Sequence, residues 1–171
     1  MKKATFYFIA ILSCFFLFAL TSCRPKNNTA DGETAIKTIY KEFSEAVAAK
    51  DMKKIMSFYA PGNDLIAFDA FVPLQYKSAA DYKKAYDDFF VAFPGPSKSI
   101  ITDMNIKVSG NLAYASCIDK WTITGTDNKP IDMIFRATNV FENRNGNWLI
   151  IHEHLSLPVD PVSGKADYLS K

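Results

Sequence analysis

The fold is decided by residues 100–157, which read IITDMNIKVSGNLAYASCIDKWTITGTDNKPIDMIFRATNVFENRNGNWLIIHEHLSL. Apolar and polar residues alternate along much of this stretch, which is the period of a half-buried β-strand. Segments rich in Gly, Asn, Asp and Pro interrupt the alternation, and such segments form tight turns. We therefore predict an antiparallel meander with strands at residues 100–108, 112–124, 131–141 and 147–157.

The first half of the chain has the period of helices instead. An apolar stripe recurs every three or four residues over residues 34–50, at Ile36, Ile39, Tyr40, Phe43 and Val47. Asp51 and Ser78 can each cap the N terminus of a further helix. Helices followed by a meander predict an α+β fold, with three N-terminal helices packed on one face of a curved antiparallel sheet.

The N terminus has the pattern of an export signal. Lys2 and Lys3 precede an uncharged apolar run, which ends in Leu20-Thr21-Ser22-Cys23. A transmembrane helix is the alternative, but it needs about 20 apolar residues and this run is slightly shorter. The final four residues resemble a bacterial lipobox, in which the cysteine is acylated after cleavage. We therefore interpret residues 1–22 as a lipoprotein signal peptide and predict lipidation of Cys23.

This interpretation predicts a location and a domain order. Arg24 follows Cys23, where an aspartate would retain an enteric lipoprotein in the inner membrane, so in a host with two membranes we expect attachment to the outer membrane, facing the periplasm. Residues 23–33 are polar and contain Pro and Gly, which predicts a flexible tether. The folded domain is expected at residues 34–158, and residues 159–171 form a polar C-terminal tail.

The composition excludes several classes of protein. Lys and Arg number 20 against 18 Asp and Glu, and the basic residues are dispersed, which argues against nucleic-acid binding. An apolar fraction of 49% excludes a wholly disordered chain. We expect no cofactor, because the chain has no Gly-rich phosphate loop. Cys117 has apolar neighbours and is interpreted as a small core residue rather than a nucleophile.

Four local strings resemble the SnoaL-like, ketosteroid-isomerase-related branch of the nuclear transport factor 2-like superfamily. The strings are FSEAVAAKDMKKIMSFYAPG at residues 43–62, FVPLQYKSAADYKKAY at 71–86, FPGP at 93–96 and GNWLIIHEHLS at 146–156. The last is also similar to the end of the calcium/calmodulin-dependent kinase II association domain. The resemblance implies a cone whose sheet wraps around the third helix, a partly apolar pocket at one mouth, and a homodimer formed through the outer face of the sheet.

His152 and His154 are the only histidines in the chain. Their spacing on a strand places both on one face. They can line the pocket as acid–base groups, or they can be hydrogen-bonded structural residues at the end of the sheet. A His-x-His pair can also chelate a metal with a third ligand such as Asp69, Asp119, Asp132 or Glu153. We expect no metal, because no third ligand has a recognisable spacing.

Asp69 lies in the apolar run at residues 65–71. An ionised carboxylate in such a run is costly unless it is paired, so we expect Asp69 at a strand end or inside a site. The resemblance implies a pocket carboxylate that moves a proton at a carbon next to a carbonyl, and Asp69 is the first candidate for that role. The alternative is an ordinary turn residue before Pro73.

Further pocket candidates are one arginine, one asparagine and three aromatic residues, namely Arg136, Asn139, Tyr40, Tyr76 and Trp121. Arg136 can clamp an anionic ligand, or it can form a salt bridge with Asp119 or Asp132, or lie on the outer face. Asn139 stands where the kinase association domain has a pocket arginine. The resemblance implies that Tyr40 donates an inward hydrogen bond, as a helix-1 tyrosine does in ketosteroid isomerases.

Two classes of function are compatible with these residues. The first is a membrane-tethered domain that binds a small apolar or anionic ligand in the cone pocket. The second is a cofactor-independent isomerase, cyclase or dehydratase that uses Asp69, His152 or His154 as its general base. For the second, we expect a carboxylate and an imidazole that both face an enclosed pocket. The first requires hydrophobic walls without such a pair.

Overall fold

The computed structural model describes residues 29–169. The helical elements are α1 at Thr29–Ala49, α2 at Met52–Met56, a short 3-10 turn at Gly62–Asp64 and α3 at Ala79–Ala92. The strands are β1 at Ile66–Phe68, β2 at Ser97–Ser109, β3 at Leu112–Thr124, β4 at Pro130–Arg144 and β5 at Asn147–Ser156. The predicted signal peptide, the lipidation site and the first part of the tether lie outside the described residues.

The strands form one five-stranded sheet in the order β1-β5-β4-β3-β2. The four long strands are antiparallel neighbours joined by short turns, and β1 pairs with β5 in parallel. The helices pack on one face of this curved sheet. The predicted α+β fold and the meander are therefore confirmed.

Helix α1 begins earlier than the sequence analysis expected. It starts at Thr29, so residues 29–33 are helical and are not part of a flexible tether. Gly32 is buried against Val108 of β2 and Trp148 of β5, and a Cβ at that position would lie 3.0 Å from Cγ1 of Val108. This close approach holds the first turn on the sheet despite its polar sequence.

Side-chain caps begin the other two helices. Oδ1 of Asp51 accepts a hydrogen bond of 2.9 Å from the Lys54 N–H, and Oγ of Ser78 accepts one of 3.1 Å from the Asp81 N–H. Helix α3 buries Tyr82 and Tyr86 against the concave face of the sheet. No helix in the described part of the chain is long and apolar enough to cross a membrane.

The C-terminal segment is folded rather than a free polar tail. Val159 pairs with Ala166 in a small hairpin, and Oδ1 of Asp160 accepts hydrogen bonds from the backbone N–H groups of the turn. The N–H of Ile134 donates a 2.8 Å bond to the Tyr168 carbonyl, which ties the segment to the part of β4 that extends beyond its pairing with β5. The hairpin therefore lies beside the mouth of the cone.

Candidate ligand-binding cavity

A cavity of about 500 Å³ opens between α3 and the concave face of the sheet. Its helix wall consists of Tyr82, Ala85, Tyr86, Phe89 and Phe93, and its sheet wall consists of Trp121, Met133, Phe135 and Leu155. Phe71, Val72 and Tyr76 of the β1–α3 loop and Tyr168 of the C-terminal hairpin complete it. The volume and the apolar lining are those of a small-molecule site.

The charged side chains that line this cavity are both acidic. Asp69 lies just after β1, and its Oδ1 accepts a long bond of 3.4 Å from the Phe71 N–H. Burial raises the pKa of the Asp69 carboxyl above its ordinary value. Asp88 is exposed and forms an ion pair of 2.6 Å with Lys84. Among the described residues, Asp69 is therefore the cavity carboxylate without a cationic partner.

A smaller interior space lies behind the cavity. Its volume of about 20 Å³ is enough for about one water molecule. Tyr86, Trp121 and Leu155 line both spaces and form the wall between them. The polar side chains on its inner surface are Tyr40, Asp119, Asn139 and Glu153.

Glu153 is the most heavily hydrogen-bonded carboxylate of the interior. Tyr59 donates a bond of 3.0 Å to its Oε2, and Tyr82 donates a short bond to its Oε1. The Tyr86 hydroxyl lies 3.3 Å from that of Tyr59 and extends the network. Burial without a cation outweighs these donors and raises the pKa of Glu153 to about 7.

Asp119 is the second interior carboxylate. Its Oδ1 accepts a bond of 2.7 Å from the Ser99 hydroxyl, and its Oδ2 accepts one of 2.7 Å from Nε1 of Trp121. Burial raises the pKa of Asp119 to about 6 in spite of both donors. Because it holds the indole N–H, Asp119 fixes the orientation of a ring that lines the cavity.

Two polar atoms next to the interior space are unsatisfied. The Tyr40 hydroxyl and Oδ1 of Asn139 have no oxygen or nitrogen partner among the described residues. The thiol of Cys117, a weak partner, lies beside Tyr40. Cys117 itself is buried in the core, where the sequence analysis expected it.

The histidine pair does not line either space. His152 is half-buried on the outer face, where its Nδ1 contacts the Ile66 carbonyl at 2.9 Å, and His154 is exposed. Both rings pack edge-on against Phe68. The expectation of a carboxylate and an imidazole facing one pocket is therefore wrong, because the residue between the histidines, Glu153, points inward.

A bulge in β5 explains this reversal. Val140 pairs with His152 while Phe141 pairs with Ile150, so Ile151 is an extra residue. Trp148 and Ile150 point inward, and simple alternation would continue inward to His152. The extra residue shifts the alternation by one, which turns both histidines out and Glu153 in.

The remaining candidates divide between the two spaces and the surface. Tyr76 and Trp121 line the cavity, and Tyr40 and Asn139 line the interior space. Arg136 is exposed on the outer face and donates a 3.0 Å bond to the Leu157 carbonyl. No group of three potential metal ligands occurs within residues 29–169.

Glu153 was considered only as a possible third metal ligand, and no role in the site was predicted for Tyr59, Tyr82 or Tyr86. The sequence did indicate that Tyr82 and Tyr86 face the interior together, since they are one helical turn apart on the apolar face of α3. Glu153 carried no comparable signal, because its inward direction depends on the bulge.

Comparisons with known proteins agree with this geometry. A family model described as the SnoaL-like domain matches residues 36–160. An NTF2-like protein from Pseudomonas putida is 27% identical, with a TM-score of 0.75 over 84% of this chain and 98% of that chain. Comparison with curated protein sequences gave no match.

Two further solved structures show the same fold at lower identity. A protein from Xanthomonas campestris, described as a calcium/calmodulin-dependent protein kinase II association domain, is 23% identical, with a TM-score of 0.64 over 77% of this chain and 89% of that chain. A protein from Streptomyces avermitilis, described as an NTF2-like dehydratase, is 16% identical, with a TM-score of 0.68 over 75% of this chain and 97% of that chain.

Proposed function

Because the chain belongs to the SnoaL-like domain family, we propose that it is a ligand-binding domain that holds a small, largely apolar molecule between α3 and the sheet. The observation that carries this proposal is the aromatic cavity of about 500 Å³. Binding of an apolar ligand in an open cavity of this size is favourable, because it removes apolar surface of the ligand and of the walls from water.

The charges of the lining narrow the ligand class. The sequence left an anionic ligand open because Arg136 was a candidate clamp, but Arg136 lies on the outer face. Asp69 and Asp88 line the cavity, and a negatively charged ligand next to these carboxylates is electrostatically unfavourable. The proposed ligand is therefore apolar and not anionic.

The proposal includes a membrane tether at Cys23. Helix α1 has 21 residues and is therefore about 30 Å long. Its first turn packs on Val108 and Trp148, whereas Lys50 beyond its other end donates a 2.7 Å bond to the carbonyl of Phe93, which lines the cavity. With Cys23 acylated, the cavity opens at the end of the domain away from the anchor.

Mass spectrometry of the protein isolated from membranes tests the tether. We expect a mature N terminus at Cys23 with the added mass of acyl chains, and a soluble, unmodified product from the Cys23→Ser variant. A chain that retains Met1 without acylation would contradict this part of the proposal and would leave the binding function untouched.

Ligand binding is tested with the neutral fluorescent probe N-phenylnaphthylamine. We expect Ala85→Phe, which fills the cavity from its helix wall, to weaken probe binding by about ten-fold or more. Val91→Phe is the matched control, because Val91 lies on the same helix and is 79% exposed. Equal binding by both variants, or no binding by the unaltered protein, would overturn the proposal.

A second candidate function is the enzymatic alternative in a reduced form that rests on Asp69 alone, because neither histidine lines the cavity. A carboxylate with a raised pKa in an apolar cavity is suited to act as a general base at a carbon next to a carbonyl. Exchange of the α-protons of β-tetralone in D₂O, followed by NMR, tests this activity. An exchange rate that Asp69→Asn does not lower, or that equals the rate in buffer alone, eliminates the enzymatic candidate.

A further inference from the structure

We propose that the ligand of the cavity is an organic cation, such as a quaternary ammonium group carried on an apolar body. This inference rests on the proposed binding function and specifies its ligand. It follows from three features of the cavity: an unpaired carboxylate, walls made of aromatic rings, and a ring supplied by the C-terminal hairpin.

The carboxylate of Asp69 lacks a counter-ion. It takes part in none of the ion pairs formed within residues 29–169, and the hydrogen bonds that it accepts come from the backbone of Ala70 and Phe71, the latter a long one of 3.4 Å. A partly buried carboxylate without a cation is costly, because its hydration is lost and not replaced. A cationic ligand in the cavity replaces that hydration with an opposite charge.

The walls suit a positive charge with little hydration. Nine of the fifteen lining residues are aromatic, and none is Lys, Arg or His. Phe71 meets Phe135 at 88°, and Phe89 meets Trp121 at 81°, so neighbouring rings stand nearly perpendicular. Several aromatic rings grouped around one space form the kind of site in which quaternary ammonium groups bind by cation–π attraction.

The last ring is added outside the family domain. The match to the SnoaL-like model ends at residue 160, whereas Tyr168 lines the cavity. The bond from the Ile134 N–H to the Tyr168 carbonyl fixes this residue at the mouth. Tyr168 therefore gives this chain a contact with the ligand that the matched family domain does not include.

A pair of probes with the same shape isolates the effect of charge. Benzyltrimethylammonium and neopentylbenzene differ in one atom, a quaternary nitrogen in place of a quaternary carbon. In titrations monitored by Trp121 fluorescence in a Trp148→Phe background, we expect the cation to bind at least about ten-fold more tightly. Equal or tighter binding of neopentylbenzene would overturn the inference and leave the proposed function in place.

Two variants assign the effect to named side chains. We expect Asp69→Asn to weaken cation binding by about ten-fold and to leave neopentylbenzene binding within about two-fold. Asp87→Asn is the matched control, because Asp87 lies on the same helix, is paired with Lys83 at 2.7 Å and does not line the cavity. Tyr168→Ala should weaken cation binding several-fold, and Tyr168→Phe should retain it, because the cation contacts the ring and not the hydroxyl.

The outcomes separate this inference from the proposed function. If N-phenylnaphthylamine binds and benzyltrimethylammonium does not, the cation inference fails alone. If the cation binds equally well to the unaltered protein, to Asp69→Asn and to Tyr168→Ala, its site is elsewhere and the inference fails. If none of the three probes binds, the proposed function fails as well.

Discussion

The hydroxyl of Tyr59 donates a hydrogen bond of 3.0 Å to Oε2 of Glu153, and this bond joins the segment after α2 to the last strand. Glu153 is 4% exposed and also accepts a bond from Tyr82 of α3. No cation among the described residues pairs with it. One carboxyl group therefore links the helical layer to the sheet, and its protonation state bears on the stability of the whole domain.

We predict that the domain is more stable at mildly acidic pH than at pH 8. The pKa of Glu153 is raised from 4.5 to about 7 in the folded protein. The folded state therefore binds this proton more tightly, and the stabilisation is lost as pH rises from about 4.5 to about 7. Urea unfolding across this range should show a loss of up to about 3 kcal/mol in the free energy of unfolding.

The matched variant for this prediction is Glu153→Gln, which keeps the shape of the side chain without a titrating group. We expect its unfolding free energy to depend less on pH between about 5 and 7 than that of the unaltered protein. The Asp119 carboxyl, with its pKa raised to about 6, and the Asp69 carboxyl, whose pKa is also raised, contribute residual dependence in the same direction. An unchanged pH profile in Glu153→Gln would contradict the assignment to Glu153.

Asp119→Ala should destabilise the domain strongly. The substitution leaves the Ser99 hydroxyl and Nε1 of Trp121 buried without the carboxylate that each contacts at 2.7 Å. Leaving buried donors unpaired predicts a loss of about 2–4 kcal/mol, measured by urea unfolding. Asp132→Ala on the neighbouring strand is the control. Its ion pair with Lys120 is partly exposed and screened by solvent, so its loss should lower the free energy of unfolding much less than Asp119→Ala does.

The sequence predicted the fold well because its signals are local. Turn residues such as Gly110 and Gly146, both with positive φ, mark where the strands reverse. The cap residues Asp51 and Ser78 likewise begin helices through contacts three residues away. Such signals depend on neighbours in the chain and can be read without knowledge of the tertiary structure.

The candidate site was predicted less well because one extra residue decides it. The bulge at Ile151 determines whether Glu153 or the two histidines face the interior. The residues around Ile151 contain no sequence pattern that predicts a bulge. The contribution of Tyr168 to the cavity wall was equally impossible to predict from the sequence. Its place depends on a hydrogen bond to Ile134, a residue far away in the sequence.

We predict that Cys117 is inert toward thiol reagents in the folded protein. It is buried, and burial together with the nearby Asp119 charge raises its pKa to about 12, so the reactive thiolate is scarce at pH 8. In the mature chain with Cys23→Ser, Ellman's reagent should react at least about 100-fold more slowly in buffer than in urea. Equal rates in both conditions would show that this part of the core opens readily.

Gly95→Ala should destabilise the domain through a steric clash. Gly95 lies after α3, where its N–H donates a 3.0 Å bond to the Thr124 carbonyl at the end of β3. A Cβ at this position would lie 2.7 Å from Cβ and 2.9 Å from the carbonyl oxygen of Thr124. Because the obstacle includes backbone, relief requires α3 or β3 to shift, and we expect a loss of about 1–3 kcal/mol.

Gly125→Ala is the matched control for this clash. It follows Thr124 directly, but a Cβ there would meet its nearest neighbour, Oδ1 of Asp127, at 3.6 Å, which is ordinary contact. Thermal unfolding should therefore show a clear drop for Gly95→Ala and little change for Gly125→Ala. Because Phe93 lines the cavity only two residues before Gly95, probe binding should weaken in the first variant alone. Equal melting temperatures would mean that the turn after α3 adapts without cost.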